Sequence, residues 1–179
     1  VSMSSALTET CAEAGIPIVM FNRGQDGSGL SSITSANVTG GRQVAEFLIA
    51  GGHKRIAHIA GWSGSSTGRD RALGFRQGLA KAGMDLVAEI DGMYSRQVAQ
   101  DAVRRLMAMD APPDAIFVGN DHMAFAVIDT LRCELGYEVP MDVSVVGYDD
   151  VPQAAWDAYA LTSLRQPVNR MVEATVETL

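Results

Sequence analysis

The sequence has few aromatic residues, two cysteines and no cluster rich in basic residues. Aromatics make up 6% of the 179 residues and hydrophobic residues 47%, so a sizeable core can form mainly from aliphatic side chains. The formal net charge is -7, and the densest basic cluster is His53-Lys54-Arg55. The chain alone is therefore predicted to bind neither nucleic acid nor an acidic membrane. The sequence shows no signal peptide and no apolar run of membrane length.

The residues typical of metal and cofactor sites are also scarce. His53, His58 and His122 lack the spacing to cysteines or carboxylates that a zinc site requires. Neither a G-x-G-x-x-G motif nor a P-loop lysine motif occurs, so no dinucleotide, nucleoside triphosphate or other cofactor is expected. Cys11 and Cys133 each lie in a helical pattern. They are interpreted as buried free thiols in a reducing cytoplasm, and a disulfide has no support.

One motif formally indicates an enzyme. Residues 64–68, GSSTG, match the G-x-S-x-G nucleophile motif of hydrolases and lie between a predicted strand and a predicted helix. However, the surrounding loop runs from Gly61 to Gly68, which is longer than the tight turn that the motif needs. His122 is the only later histidine available for a triad. A hydrolase with Ser66 as nucleophile is therefore a minor alternative, and no enzymatic activity is expected.

Short apolar runs alternate with amphipathic segments along most of the chain. Residues 115–118 and 143–146 are runs without polar alternation, as in strands buried on both faces. Between them, Asn120 suits a helix cap and Asp121 the positive end of a helix dipole. From Thr39 to Gly147 the predicted order is α-β-α-β-α-β-α-β. This order predicts an α/β fold with a mostly parallel sheet flanked by helices.

Polar residues follow several predicted strands at the point where each strand ends. Asn22, Arg71, Asn120, Asp121 and Asp149 all come from turns between a strand and the next helix. Because parallel strands end at one edge of the sheet, ligands bind outside that edge, and these side chains should converge there. Arg71 is expected to be mostly solvated without ligand, so that its loss would weaken ligand binding while hardly changing stability.

Five segments in the same order resemble the effector-binding core of the lac-repressor/galactose-repressor family. They are GHKRIAHIAG (52–61), RDRALGFRQGL (69–79), PDAIFVGNDHMAFAVIDTL (113–131), VPMDVSVVGYDD (139–150) and LTSLRQPV (161–168), and GIPIVMFNR (15–23) resembles the beginning of that core. The resemblance spans nearly all of the chain. It implies a type I periplasmic-binding-protein-like fold, in which three crossing strands join two α/β subdomains and a small effector binds between them.

The resemblance also implies a division of the chain. Residues 1–36 would form part of the N-terminal subdomain, 37–165 a complete C-terminal subdomain, and 166–179 a helix returning to the N-terminal subdomain. The first crossing is expected near Ala36-Asn37 and the second near Arg165-Gln166, with the third outside this chain. The family's helix-turn-helix DNA-binding domain has no counterpart in these residues, and the chain stops inside a helical pattern, so we expect a fragment of a longer protein.

The effector contacts of the family map onto nine positions of this sequence. They are Asn22, Arg23, Thr67, Arg69, Arg71, Tyr94, Asn120, Asp121 and Asp149. Two departures make the effector harder to infer. Asn22-Arg23 stands where many members have Asp-Arg, and residues 35–37, Ser-Ala-Asn, stand where many have Asp-Asn just before a helix.

These expectations define a function. The resemblance implies the ligand-sensing domain of a cytoplasmic bacterial transcription regulator, a homodimer that binds operator DNA through the helix-turn-helix domain absent here. Its effector would be a small polar molecule, most simply a sugar, since carboxylates, an amide and a guanidinium suit hydroxyl groups. The alternative is a periplasmic sugar-binding protein of an ABC transporter. The segments GHKRIAHIAG and LTSLRQP favour the regulator.

Overall fold

The computed structural model describes residues 8, 10, 11, 13–25 and 27–179, and the chain divides into two compact units. One unit is Ala36–Gln166, called the larger unit below. The other comprises Val1–Ser35 and Pro167–Leu179. Of the helix predicted from residues 6 to 14, positions 6, 7, 9 and 12 lie outside the described residues, whereas positions 8, 10, 11 and 13 are helical.

The described part of the smaller unit includes two short strands and a helix at the end of the chain. Strands β1 (Val19–Phe21) and β2 (Ser31–Ile33) pair in parallel, and the helix Val168–Thr178 is the last element of the chain, α5 in chain order. The sequence pattern predicts strands at residues 16–21 and 31–36, and both observed strands are shorter. The predicted first strand included Pro17, which lacks the N–H that pairing requires, and the paired segment begins two residues later.

The larger unit is built on one five-stranded sheet. Its strands are β3 (Ile56–Ala60), β4 (Ala88–Asp91), β5 (Ala115–Val118), β6 (Ser144–Asp149) and β7 (Thr162–Arg165). Their order across the sheet is β4-β3-β5-β6-β7, and every neighbouring pair is parallel. The predicted α/β fold with a parallel sheet is therefore confirmed, and β7 is an edge strand of this sheet.

Helices cover both faces of this sheet. Helices α1 (Asn37–Ala50) and α2 (Ser66–Lys81) pack on one face, where the core includes Leu48, Phe75 and Phe117. Helices α3 (Arg96–Met107) and α4 (Asp121–Asp129) cover the other face, and α4 continues into a wider π-type turn, Thr130–Glu134. A short 3-10 helix, Pro152–Ala155, follows β6. No helix of the described ranges is long and apolar enough to cross a membrane.

Side-chain caps fix where three of these helices begin. The Oγ of Ser95 accepts a hydrogen bond from Val98 N at 3.4 Å. Asn120 Oδ1 accepts one from Met123 N at 3.0 Å, which confirms the predicted cap at Asn120. Ser65 Oγ accepts from Gly68 N at 3.0 Å, so α2 begins at Ser66, whereas the sequence pattern predicts a start at about Arg69. The sequence pattern also predicts a cap at Thr39, and this prediction is wrong, because α1 already begins at Asn37 and has no side-chain cap.

The two cysteines are free, but the prediction that they are buried is wrong for Cys133. Cys133 is exposed and Cys11 is partly buried. Cys133 lies in the π-type turn that follows α4, where the helical periodicity used for the prediction no longer applies. Its thiol therefore faces away from the core.

Glycines allow α1 and α2 to approach backbone to backbone. A Cβ atom at Gly74 would lie 1.9 Å from the backbone oxygen of Val38, and one at Gly41 would lie 2.1 Å from that of Arg71. Real Cβ atoms do not approach backbone oxygens so closely. A side chain at either position must therefore push the two helices apart.

We predict that Gly74→Ala lowers the free energy of unfolding by about 1–3 kcal/mol, the usual range for overpacking a core. Helix propensity alone would favour alanine by about 1 kcal/mol, so the sign of the change shows which effect dominates. Urea unfolding measures it, with Gln77→Ala at an exposed position of the same helix as the control. A Gly74→Ala variant as stable as the wild type would contradict this packing.

A buried histidine lies in the middle of the sheet. The Nδ1–H of His58 donates to the backbone oxygen of Phe117 at 2.9 Å, its ring stacks on Phe117 with centroids 4.5 Å apart, and its Nε2 is buried without a partner among the described residues. Burial lowers the pKa of His58 from its usual 6.5 to about 4. The ring is therefore neutral at pH 7.

The unfolded chain binds a proton at His58 near pH 6.5, whereas the folded chain binds it only near pH 4, so stability falls as the pH drops through this window. From pH 7 to pH 5 we expect His58 to account for a loss of about 2 kcal/mol. Urea unfolding at both pH values should show a smaller loss in His58→Gln than in the wild type. His122→Gln, at an exposed position, should keep the wild-type loss. Equal losses in all three proteins would contradict the prediction.

Candidate functional site

The carboxyl ends of four strands in the larger unit lead into turns that carry polar side chains. Strand β3 leads to the start of α2, β4 to the start of α3, β5 to the start of α4, and β6 to the 3-10 helix. Because the strands are parallel, these turns lie along one edge of the sheet. We call Thr67, Arg71, Tyr94, Asn120 and Asp149, which lie there, the carboxyl-edge site.

Arg71 is held by groups from three other parts of the larger unit. Its Nε donates to Asn37 Oδ1 at 2.9 Å, its Nη1 donates to the backbone oxygen of Gly119 at 2.7 Å, and its guanidinium carbon lies 3.8 Å from the centroid of the Tyr148 ring. Its Nη2 lies 3.5 Å from Asp149 Oδ1. Arg71 is only 3% exposed, so the prediction of a mostly solvated side chain is wrong. These contacts replace the water that would otherwise solvate the charged guanidinium.

Asp149 lies at the end of β6 with an unusual backbone. Its φ is 127° and that of Asp150 is 58°, a region that disfavours residues other than glycine. Asp149 Oδ1 accepts a hydrogen bond from Gln166 Nε2 at 2.6 Å and faces Arg71. Burial raises the pKa of the Asp149 carboxyl, and although Arg71 and Gln166 lower it, the net shift is upward. The side chain remains 28% exposed.

Asp121 is a buried residue whose carboxylate accepts hydrogen bonds from two other segments of the larger unit. It is 0% exposed, and its Oδ2 accepts from Val151 N at 2.9 Å while its Oδ1 accepts from Ser163 Oγ at 2.6 Å. Ser163 Oγ in turn accepts from Asp150 N at 3.0 Å. Effector contact by Asp121 stays a prediction. With both oxygens bonded to the chain itself, its carboxylate fixes the turn that carries Asp149.

Thr67 and Tyr94 meet at the other end of the carboxyl edge. The Oγ1 of Thr67 lies 3.3 Å from the Tyr94 hydroxyl, and the Tyr94 ring covers Gly61, where a Cβ atom would lie 2.2 Å from it. Met93 and Tyr94 have φ values of 54° and 53°. Asp91 holds this turn, because its carboxylate accepts from the backbone N–H groups of Ser63 and Met93.

The same bonds change the titration of Asp91. Burial alone would raise the pKa of the Asp91 carboxyl, but the hydrogen bonds from Ser63 and Met93 outweigh burial and lower it. An ionised carboxylate therefore stabilises the turn on which Tyr94 stands.

Three other residues were predicted to contact an effector. The Arg69 side chain is 49% exposed, and its Nε donates to the neighbouring Asp70 at 2.9 Å. Asn22 and Arg23 belong to the smaller unit. The Asn22 backbone N–H donates to Ile33 O at 2.8 Å, and its Oδ1 is buried without a hydrogen-bond partner among the described residues. Effector contacts by these three residues stay predictions.

Asn37, Tyr148 and Gln166 surround Arg71 and Asp149 but were not predicted to do so. The sequence could have identified two of them, because Asn37 and Gln166 are polar residues at the positions where the chain was expected to cross between subdomains. Tyr148 lies in a strand, where an aromatic residue is equally typical of a core.

Within the described ranges, no group of three or more histidines, cysteines and carboxylates is placed to hold a metal ion. Ser66, the nucleophile of the hydrolase alternative, is the first residue of α2 and directly follows a turn in which Ser65 N–H donates to Trp62 O at 3.0 Å.

Comparison with known proteins agrees with this architecture. A family model described as a periplasmic binding protein-like domain matches residues 45–179. The transcriptional repressor PurR of Photobacterium profundum is 33% identical over 169 residues, covering 93% of this chain and 50% of that protein. The regulator CelR of Thermobifida fusca is 39% identical over 171 residues, covering 92% of this chain and 49% of that protein. The chain thus spans about half the length of the curated relatives it matches.

Solved structures give the same result. A LacI transcriptional regulator from a Rhodococcus species superposes with a TM-score of 0.89 at 29% identity, covering 99% of this chain and 65% of that one. A complex of the regulator CelR with cellobiose superposes with a TM-score of 0.86 at 34% identity, covering 100% of this chain and 56% of that one. These relatives are transcriptional regulators. The chain therefore belongs to the periplasmic-binding-protein-like domain family and, as its motifs predict, to the lac-repressor/galactose-repressor family of transcriptional regulators.

Proposed function

We propose that this chain is the ligand-sensing part of a bacterial transcription regulator and that its carboxyl-edge site binds a small polar effector, a sugar. The observation that carries the proposal is the pairing of buried Arg71 with partly exposed Asp149. Asp149 Oδ1 is engaged by Gln166 and faces Arg71, whereas its Oδ2 accepts no hydrogen bond from the described part of the chain. This oxygen is an acceptor for a ligand hydroxyl group.

The charges at the site favour a neutral ligand over an anion. The guanidinium of Arg71 already faces a carboxylate, and the carboxylates of Asp91 and Asp121 lie along the same edge. An anionic ligand would meet this negative charge, whereas hydroxyl groups can donate to a carboxylate without a charge penalty. Tyr94 would supply an aromatic face for the apolar side of a sugar ring. No covalent bond is formed or broken in this function.

The relatives support the choice of ligand class. One structural relative is a complex with cellobiose, and a relative from Escherichia coli K12, 32% identical over 167 residues, is a ribose operon repressor. On the same basis we propose that the parent protein is a cytoplasmic homodimer that binds operator DNA through a domain outside this chain. We further propose that the larger unit is the C-terminal subdomain of this family. The periplasmic transport alternative is not favoured, because the relatives named here are regulators.

A thermal-shift screen against neutral mono- and disaccharides, beginning with cellobiose and ribose, tests the proposal. A ligand at one hundred times its dissociation constant stabilises the fold by about 2.7 kcal/mol, which raises the melting temperature by several degrees. We expect at least one neutral saccharide to do so and sugar phosphates of the same size to fail. If no saccharide shifts the transition, the proposed ligand class is wrong.

A further inference from the structure

The two residues at which the chain enters and leaves the larger unit both bond to the carboxyl-edge site. The larger unit begins at Ala36 and ends at Gln166. Asn37 is 4% exposed and Gln166 is 7% exposed, so neither is an ordinary surface amide. Asn37 is the first residue of α1, and Gln166 directly follows the edge strand β7.

Four residues form a continuous chain of polar contacts between these two ends. Asn37 Oδ1 accepts from Arg71 Nε at 2.9 Å, Arg71 Nη2 lies 3.5 Å from Asp149 Oδ1, and Asp149 Oδ1 accepts from Gln166 Nε2 at 2.6 Å. We call Asn37, Arg71, Asp149 and Gln166 the crossing network. A second contact reinforces one end, because the backbone N–H of Gln166 lies 3.5 Å from the backbone oxygen of Asp149.

The weakest contact of this network lies where a ligand would bind. The outer contacts are hydrogen bonds of 2.9 Å and 2.6 Å, whereas the central Arg71–Asp149 distance is 3.5 Å. Both central side chains are charged, and charged groups form the stronger hydrogen bonds. A ligand hydroxyl that bonds to Asp149 would change how tightly this carboxylate holds Gln166 and Arg71. Arg71 would in turn change its hold on Asn37.

We propose that Asn37 and Gln166 are positioning residues, which orient Arg71 and Asp149 for the ligand. Through them, a change in the contacts of Arg71 and Asp149 alters the two segments where the chain enters and leaves the larger unit, called the chain crossings. The ligand part of this inference rests on the function proposed above. The coupling itself is a property of the ligand-free protein and can be measured without any ligand. A physical coupling of this kind requires that a change at one end alters the other end.

Hydrogen–deuterium exchange by NMR on the ligand-free chain tests the coupling. Gln166→Met removes the amide at one crossing while keeping a side chain of similar length. The readout lies at the other crossing, at the backbone N–H of Gly40, which donates to Ala36 O at 2.8 Å in the first turn of α1. We expect this N–H to exchange at least tenfold faster in Gln166→Met than in the wild type. The matched control is Arg165→Met, an 82% exposed neighbour paired with Asp150.

The inner strand β3 provides the internal reference. If the exchange rate of Gly40 N–H is unchanged, or rises equally in Arg165→Met, the coupling does not exist. A rise by the same factor at Ile59 in β3 would show a general loss of stability and would equally overturn the proposal. If Gln166→Met does not fold, Gln166→Asn retains the amide on a shorter side chain and should give a smaller rise confined to the crossings. Failure of the saccharide screen would contradict the proposed function but leave this result standing.

Discussion

Arg71→Ala is expected to lower the free energy of unfolding by roughly 3–5 kcal/mol, the range found when one partner of a buried ion pair is removed. The substitution leaves Asn37 Oδ1 and the backbone oxygen of Gly119 without their donor and Asp149 without its facing charge. It also removes the guanidinium that stacks on Tyr148. Each of these groups is buried or partly buried, so water replaces the lost contacts poorly.

Arg76→Ala is the matched control on the same helix. Arg76 pairs with Glu89 at 2.7 Å, but its side chain is 48% exposed, and such surface pairs contribute about 0–1 kcal/mol. Urea unfolding of both variants at pH 7 gives the comparison. A loss at Arg71 no larger than the loss at Arg76 would show that Arg71 is only a ligand contact and not part of the folded framework.

Asp121→Ala should also destabilise the protein, by roughly 3 kcal/mol, because hydrogen bonds to a buried charge are the strong ones. Without the carboxylate, Val151 N–H and the Ser163 hydroxyl lose their acceptor. The same bonds hold the turn in which Asp149 and Asp150 have positive φ values, a conformation that costs of order 1–3 kcal/mol for each residue. Saccharide binding should therefore weaken together with stability, although Asp121 itself is fully buried.

His122→Ala, at the next position of the same helix, is the control for Asp121→Ala. His122 is exposed, and its backbone oxygen accepts a hydrogen bond from Arg96 at 3.2 Å. Its loss should change neither stability nor binding measurably. If Asp121→Ala unfolds at the same urea concentration as His122→Ala, the account of Asp121 as the residue that fixes the Asp149 turn is wrong.

The parallel sheet could be predicted because strands that are buried on both faces appear in the sequence as continuous apolar runs. The run at residues 115–118 is apolar at every position, and each residue of β5 is indeed buried. Asn120 likewise shows its role locally, since the side chain that caps α4 and the N–H that it accepts from are three residues apart. Features that depend on residues only a few positions apart can therefore be predicted from a sequence pattern.

The environment of Arg71 could not be predicted, because distant residues decide it. Asn37 lies 34 positions before Arg71 and Gly119 lies 48 positions after it. The sequence shows a strand end and a helix start around Arg71 and so predicts its place at the edge correctly, but not its burial. For Asp121 the sequence suggested interaction with the helix dipole, whereas its hydrogen-bond partners are 30 and 42 residues away.

Calorimetric titration of the saccharide with the largest thermal shift tests the central claim most directly. The proteins to compare are the wild type, Asp149→Asn and Asp150→Asn, a neighbouring carboxylate that pairs with Arg165. A hydrogen bond to a charged group contributes roughly 1.5–3 kcal/mol, so Asp149→Asn should bind about tenfold to a hundredfold more weakly. Asp150→Asn should bind like the wild type. Equal affinities for all three proteins would place the ligand elsewhere and contradict the assignment of the carboxyl-edge site.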